Sequence, residues 1–182
     1  MGVVFSQKSS LIPDVTVRDN LRFYGAMYDI QKREFENLVG MLEKFFNLTS
    51  SMDKPVRKLS FGQRMKVELT SVLLHKPKYI FLDEPTIGLD IFVKEELLNL
   101  LKKYNEQFNS TIIIITHEVE FLKNICSRVI ILDSGKMILD KSPKEIHELF
   151  NNVKNFDVVY KSIIDNVDFK EVLKKFYETV RH

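Results

Sequence analysis

One cysteine, Cys126, stands among 182 residues, so no disulfide can form within the chain and a reducing compartment suits it. No apolar run approaches the roughly 20 residues of a membrane span, and the first residues carry no secretion-signal pattern. Any membrane role must therefore run through a partner protein. Excess charge is lacking as well: Lys and Arg number 27 against 25 Asp and Glu, and a net charge of +2 gives no argument for nucleic acid or an anionic membrane surface. Coiled-coil heptads are absent. Glycine is scarce, with six in all, at 2, 25, 40, 62, 88 and 135. Five positions beyond them lie Gln7, Ile30, Phe45, Val67, Val93 and Asp140, so this sequence holds no G-x-x-x-x-G-K-[ST] loop to cradle phosphates. What remains is ordinary globular material, 45% apolar and 29% charged. The length suits one domain with a sizeable core, or one domain plus a tail.

The densest stretch is Leu59–Asp90, LSFGQRMKVELTSVLLHKPKYIFLDEPTIGLD. Ser60 and Gln63 form an S-x-x-Q capping box, which predicts a helix start with free backbone N–H groups. Gly62 allows close approach of a ligand, and the peptide dipoles favour an anion there. Met65, Leu69, Val72 and Leu73 recur at helical spacing; His75 and Lys76 suit the helix C-terminus, and Pro77 ends it. Tyr79–Leu82 shows no alternation, which predicts a strand covered on both faces. Asp83 and Glu84 follow at its carboxyl end, where ligands collect in α/β folds.

These residues resemble the ATP-binding cassette (ABC) family of transporter ATPases, of the exporter, ABC-2-like type. LSFGQ is similar to the family's signature loop, IFLDE to its Walker B strand with the catalytic Glu, and GLD to its D-loop, in the family's order and spacing. Phe61 stands where the common form has the first of two glycines. The resemblance implies an α/β fold: an incomplete P-loop NTPase (RecA-like) core with mainly parallel buried strands, plus an α-helical subdomain. It implies ATP and Mg²⁺ as cofactors. Glu84 and His117 are then the catalytic residues, His117 as the switch histidine that contacts the γ-phosphate. Gln7, Ser60, Gly62, Gln63 and Asp90 bind nucleotide or link the two sites, and Asp83 with Gln7 serves the metal.

In chain order, residues 1–12 are expected to form a core strand and the Q-loop, 13–59 the helical subdomain, 60–150 the rest of the core, and 151–182 an extension. Met1–Ser6 fits a myristoylation pattern formally, but its Val and Phe residues read better as a buried strand. Thr16 is an N-cap with Asp19 three residues on; Val17, Leu21, Tyr24 and Tyr28 form a stripe widened by Phe23 and Met27. Glu34–Phe46 is a second amphipathic helix, with Phe35, Leu38, Leu42, Phe45 and Phe46 on its apolar face, and Asn47–Lys58 a polar connector. Val93, Leu97, Leu98, Leu101, Tyr104 and Phe108 mark a helix of about four turns. Thr111–Thr116 and Arg128–Leu132 are buried strands, with His117 ending the first. A helix over Glu118–Cys126, a turn at Asp133–Lys136, a strand at Met137–Leu139 and a helix from Ser142–Pro143 complete the core. Asn155–Tyr160 and Phe169–Tyr177 are read as strand and helix.

The family assembles as head-to-tail dimers of two ATPase subunits on transmembrane permease subunits, with the helical subdomain receiving coupling helices. The expected location is thus cytoplasmic, peripheral at the inner face of the membrane, without direct insertion and without nucleic acid. The sequence reads as the C-terminal portion of a cassette, not active alone. Two alternatives differ in kind: a non-enzymatic short subunit that lends its signature helix in trans, or a fragment of a soluble cassette ATPase of DNA repair or translation.

Overall fold

The computed structural model describes residues 1–5, 9–118, 125–133 and 135–145. Gln7 with its neighbours Ser6 and Lys8, most of the expected helix at Glu118–Cys126, Ser134 and residues 146–182 lie outside them. The chain divides into two units, Met1–His117 and Glu118–His182. No helix among the described residues is long and apolar enough to cross a membrane.

The first unit is built on a three-stranded sheet. Strands β1 (Gly2–Phe5), β2 (Tyr79–Asp83) and β3 (Thr111–Ile115) lie in that order, with β2 central and both pairings parallel. Parallel pairing puts partners on the same face, so the rows Gly2–Ile80–Ile112 and Val4–Leu82–Ile114 share one side. Helices α3 (Phe61–Leu73) and α4 (Ile91–Phe108) pack on β1 and β3 respectively, and Val4, Ile80 and Leu82 are buried. The approach of α3 is close: a Cβ on Gly2 would clash with Val72 Cγ1.

The opposite face corrects the expectation of strands covered on both sides. Tyr79 and Ile115 are 56% exposed, and Phe5 and Ile113 are exposed beside them. An unbroken apolar run permits burial on both faces but does not supply the neighbours that accomplish it. The run Thr111–Ile115 therefore alternates exposed and half-buried positions.

Helices α1 (Val17–Met27) and α2 (Lys32–Phe45) follow from their patterns with two differences. Thr16 caps α1 as expected, its side chain accepting from Asp19 N–H. Val17, Leu21 and Tyr24 are buried, yet Phe23 and Met27 are each about half exposed and do not widen the buried stripe. In α2 the buried set is Leu38, Val39 and Leu42, joined by Phe46 just past its end. The connector 47–58 is more than polar filler. It makes two short 3-10 turns, Thr49–Ser51 and Val56–Lys58, and buries Leu48, Met52 and Val56. Its carbonyls satisfy the free end of α1: Val17 N–H donates to Lys54 O at 3.1 Å and Arg18 N–H to Met52 O at 2.9 Å. Helix α4 begins at Ile91, just ahead of the apolar stripe that starts at Val93, because Asp90 caps it by accepting from Val93 N–H. Burial pushes the phenol of its Tyr104 well up, and that hydroxyl donates to Leu73 O at 3.2 Å.

His75 ties these layers together. Its ring stacks on Tyr28 at 4.1 Å between centroids, and Nε2–H donates to Met1 O at 3.2 Å. Nδ1 is buried without a hydrogen-bond partner among the described residues, so a second proton there finds no acceptor. Burial accordingly holds the imidazole below its ordinary 6.5. The unfolded chain then binds more protons just below pH 6.5, so His75 contributes stability above that value and loses it as pH falls toward the depressed folded pKa. Melting temperature should fall as pH is lowered below about 6.5, and His75→Phe should flatten that slope while keeping the stack. Equal slopes in both proteins would place the acid sensitivity elsewhere.

In the second unit, β4 (Val129–Asp133) and β5 (Lys136–Lys141) form an antiparallel hairpin with an irregularity at Ile131/Leu132. Arg128 forks onto Asp140 at 2.7 and 2.6 Å. The expected buried character of β4 is not seen: Leu132 is 70% exposed and Ile130 is exposed with it. Ser142 opens a helix with a reciprocal cap, Glu145 N–H donating to Ser142 Oγ and Ser142 N–H to Glu145 Oε2.

Candidate functional site

Strand β2 ends in a forced turn. Glu84 has φ of +50°, a left-handed conformation that a side chain other than glycine rarely adopts. Its N–H still donates to Ile115 O at 2.8 Å, so the β2–β3 ladder carries one step past Asp83 before the chain turns. That turn brings the Glu84 carboxylate over the end of β3. Thr116 Oγ1 donates to Oε2 at 3.0 Å, while His117 gives Oε1 both its backbone N–H, at 3.2 Å, and Nδ1–H, at 2.7 Å. The two residues expected to be catalytic are therefore in direct contact, across 33 positions of sequence. Thr116 was not anticipated; a threonine ending a β-branched run reads as strand, and its second role shows only once Glu84 is beside it.

With Nδ1–H given to the carboxylate, His117 has Nε2 left for a ligand, and the side chain is 57% exposed. Asp83 pairs in register with Phe5 and Ile115, which places it on the uncovered face of the sheet, half-buried. Among the described residues no group of three His, Cys, Asp or Glu side chains is set to hold a metal alone. A single carboxylate beside a ligand's phosphates nevertheless suits Mg²⁺, which uses one or two carboxylates and keeps several waters.

The second cluster lies at the start of α3. Ser60 Oγ accepts from Gln63 N–H at 3.2 Å and Gln63 Oε1 accepts from Ser60 N–H at 3.0 Å. The capping box is thus as expected, and the Gln63 side-chain oxygen is committed to it. What faces outward is the Ser60 hydroxyl proton and the free N–H groups of the first turn. Gly62 has a further reason to lack a side chain. A Cβ there would lie 3.0 Å from Val93 Cγ1 and 3.6 Å from Leu89 Cδ2, so α3 and the start of α4 are packed at glycine distance. Lys66 and Glu96 join the same two helices at 2.6 Å.

Residues 84–90 connect the clusters. Ile87 N–H donates to Glu84 O and Leu89 N–H to Thr86 O. Gly88 takes φ of +74°, and a Cβ on it would touch the Phe61 ring at 3.6 Å. Asp90 ends the loop as the cap of α4, Val93 N–H donating to its Oδ1 at 3.0 Å. Phe61 carries the Arg64 guanidinium 5.6 Å above its ring and lines, with Phe5, Ser9, Glu68, Ile87 and Gly88, a cleft of about 360 Å³. Ser60, Gly62, Gln63 and Asp90 are thereby gathered around the α3–α4 junction, and Asp83, Glu84 and His117 around the strand ends. Gln7 lies outside the described residues.

Comparison with known proteins gives consistent results. Residues 1–87 match the family model described as ABC transporter. The chain is 32% identical over 146 residues to the energy-coupling factor transporter ATP-binding protein EcfA3 of Clostridium perfringens, covering 80% of this chain and 51% of the relative. It is 36% identical over 138 residues to the methionine import ATP-binding protein MetN 2 of Bacillus cereus, covering 76% and 40%. A solved structure of cbiO1 from Clostridium perfringens, described as part of the ABC transporter complex cbiONQ, superposes with a TM-score of 0.74 at 28% identity, over 95% of this chain and 66% of that one. The fold is thus the α/β fold of P-loop NTPases. The chain spans about half the length of the EcfA3 relative and less of the MetN relative.

Proposed function

We propose that this chain, whose residues 1–87 match the family model described as ABC transporter, is part of a nucleotide-binding subunit coupling ATP hydrolysis to membrane transport. The observation that carries the reading is the Glu84 carboxylate, held by Thr116 and both donors of His117 beside Asp83 at the ends of parallel strands. Glu84 would polarise the attacking water, and Asp83 is the residue that would hold Mg²⁺. When bound, the cation offsets phosphate charge. His117 presents Nε2 to the terminal phosphate, a contact that needs a proton on Nε2 as well as Nδ1. Chemistry of this kind is mostly positioning and charge stabilisation.

The Ser60 helix end serves a different phosphate face, in a head-to-tail pair with a second ATPase subunit, and Asp90 links the two sites. For Gln7, which lies outside the described residues, the resemblance implies a role at the metal or the attacking water. Among these 182 residues there is no G-x-x-x-x-G-K-[ST] loop to cradle phosphates. A second reading, a short subunit that lends its signature helix in trans, draws on the complete reciprocal cap at Ser60. The similarity to transporter ATP-binding proteins favours either of these over a soluble ATPase of DNA repair or translation.

The proposed place is the cytoplasmic side of the membrane, reached through permease subunits, with α1 and α2 as the docking element. The family resemblance is to the exporter type; the methionine import relative makes import the competing outcome. Capture of the full protein from crosslinked membranes should bring down a permease, and reconstituted vesicles should show ATP-dependent transport whose direction settles export against import. ATPase activity that co-fractionates with no membrane subunit would overturn the transporter reading.

A further inference from the structure

Glu68 lies on α3 about two turns beyond the Ser60 cap, and it is 5% exposed. A buried carboxylate is costly unless its oxygens are hydrogen-bonded, and the oxygens of Glu68 accept from one short segment. Ser9 Oγ–H donates to Oε2 at 2.8 Å, Ser10 N–H donates to Oε1 at 2.7 Å, and Ser10 Oγ–H donates to Oε1 as well. The same short segment is held from the other side by α1. Tyr24 Oη–H donates to Ser10 O at 2.7 Å, and the fully buried Asn20 accepts from Ile12 N–H at 2.8 Å while returning Nδ2–H to Ile12 O at 3.1 Å. Ser9 closes the network by accepting from Leu11 N–H at 3.2 Å. Residues 9–12, which follow Gln7 by two positions, are therefore clamped between α1 and the middle of α3.

We infer that Glu68 is a positioning residue that makes residues 9–12, α1 and α3 move as one piece, so that a displacement of the segment after Gln7 reaches the anion-facing end of α3. This rests on the transporter ATPase reading above. Simple packing does not call for a carboxylate here, because an apolar side chain fills buried space at less cost. Three bonds to two consecutive residues fix direction as well as distance, which apolar contact does not.

The test uses the full protein with its membrane partner and compares Glu68→Gln, Glu68→Met and the double variant Ser9→Ala/Ser10→Ala. Glutamine keeps an acceptor for Ser10 N–H and turns its amide toward Ser9; methionine keeps length and helix propensity but accepts nothing. In E68M, kcat should fall about tenfold to a hundredfold, the scale of a small misplacement of reacting groups. ATP affinity should stay within about twofold, since only the assembled state is affected. E68Q should recover most of the rate. Removing the two hydroxyls should lower kcat in the same direction without touching α3, and should add little in the E68M background because the bonds are already gone. If E68M does not fold, the serine variant decides.

Unchanged kcat in the serine variant, equal losses in E68Q and E68M, or affinity falling in step with rate would each overturn the assignment. Absence of ATP turnover in the wild-type protein would remove the transporter ATPase reading and this inference with it; wild-type turnover with unaffected variants would remove the inference alone.

Discussion

Glu84→Gln, made in the protein that also contains the phosphate loop, is expected to stop ATP turnover, by about 10²–10⁴-fold, while ATP binding persists. The reason lies in how the carboxylate is held. An amide in its place can still accept from His117 N–H and Nδ1–H through its oxygen, and Thr116 Oγ1 can rotate to accept from its nitrogen. The left-handed backbone at Glu84 is unchanged by the substitution. Position is therefore kept and only the charge that polarises water is lost. Retained nucleotide with no phosphate release in a single-turnover experiment is the expected result; normal release would move the base elsewhere.

The second large effect concerns the 182-residue polypeptide by itself. Its dissociation constant for MgATP should be no tighter than about 1 mM, because no lysine or glycine-rich backbone in this sequence can enclose the β- and γ-phosphates. The uncovered sheet face, with Phe5, Tyr79, Ile113 and Ile115 exposed in adjacent rows, should also make it self-associate. β1 and β3, the two edges of this sheet, add unpaired backbone groups to that tendency. Equilibrium dialysis and light scattering measure the two halves separately. Tight one-to-one MgATP binding by a monodisperse sample would refute both.

Much of this architecture was legible beforehand, for reasons that differ by element. The Ser60 and Thr16 caps are local: the bonds run between residues three apart, so the sequence states both partners at once. The strand at Tyr79–Asp83 and the helix of α4 follow from apolar run and period. The connector 47–58 reads as polar from sequence because its composition hides Leu48, Met52 and Val56, which have no period to announce them. Phe23 and Met27 failed the opposite way, since an apolar side chain on the flank of a stripe is buried only if something packs there.

The candidate site divides along the same line. Asp83, Glu84 and the capped helix end could be read from motif order, because each pairs a residue type with a neighbouring backbone feature. The contact of Glu84 with Thr116 and His117, the glycine-distance packing of Gly62 on Val93 and the clamp of Glu68 on Ser9 and Ser10 could not. Those pairs lie tens of residues apart, and nothing local in either partner specifies the other. By itself, then, the sequence determined the helices, the strands and the order of the chemical groups, since those depend on short-range hydrogen bonding and periodicity. Tertiary structure alone decided which face of the sheet is covered and which carboxylate is held by which donors, because both depend on what the folded chain brings alongside.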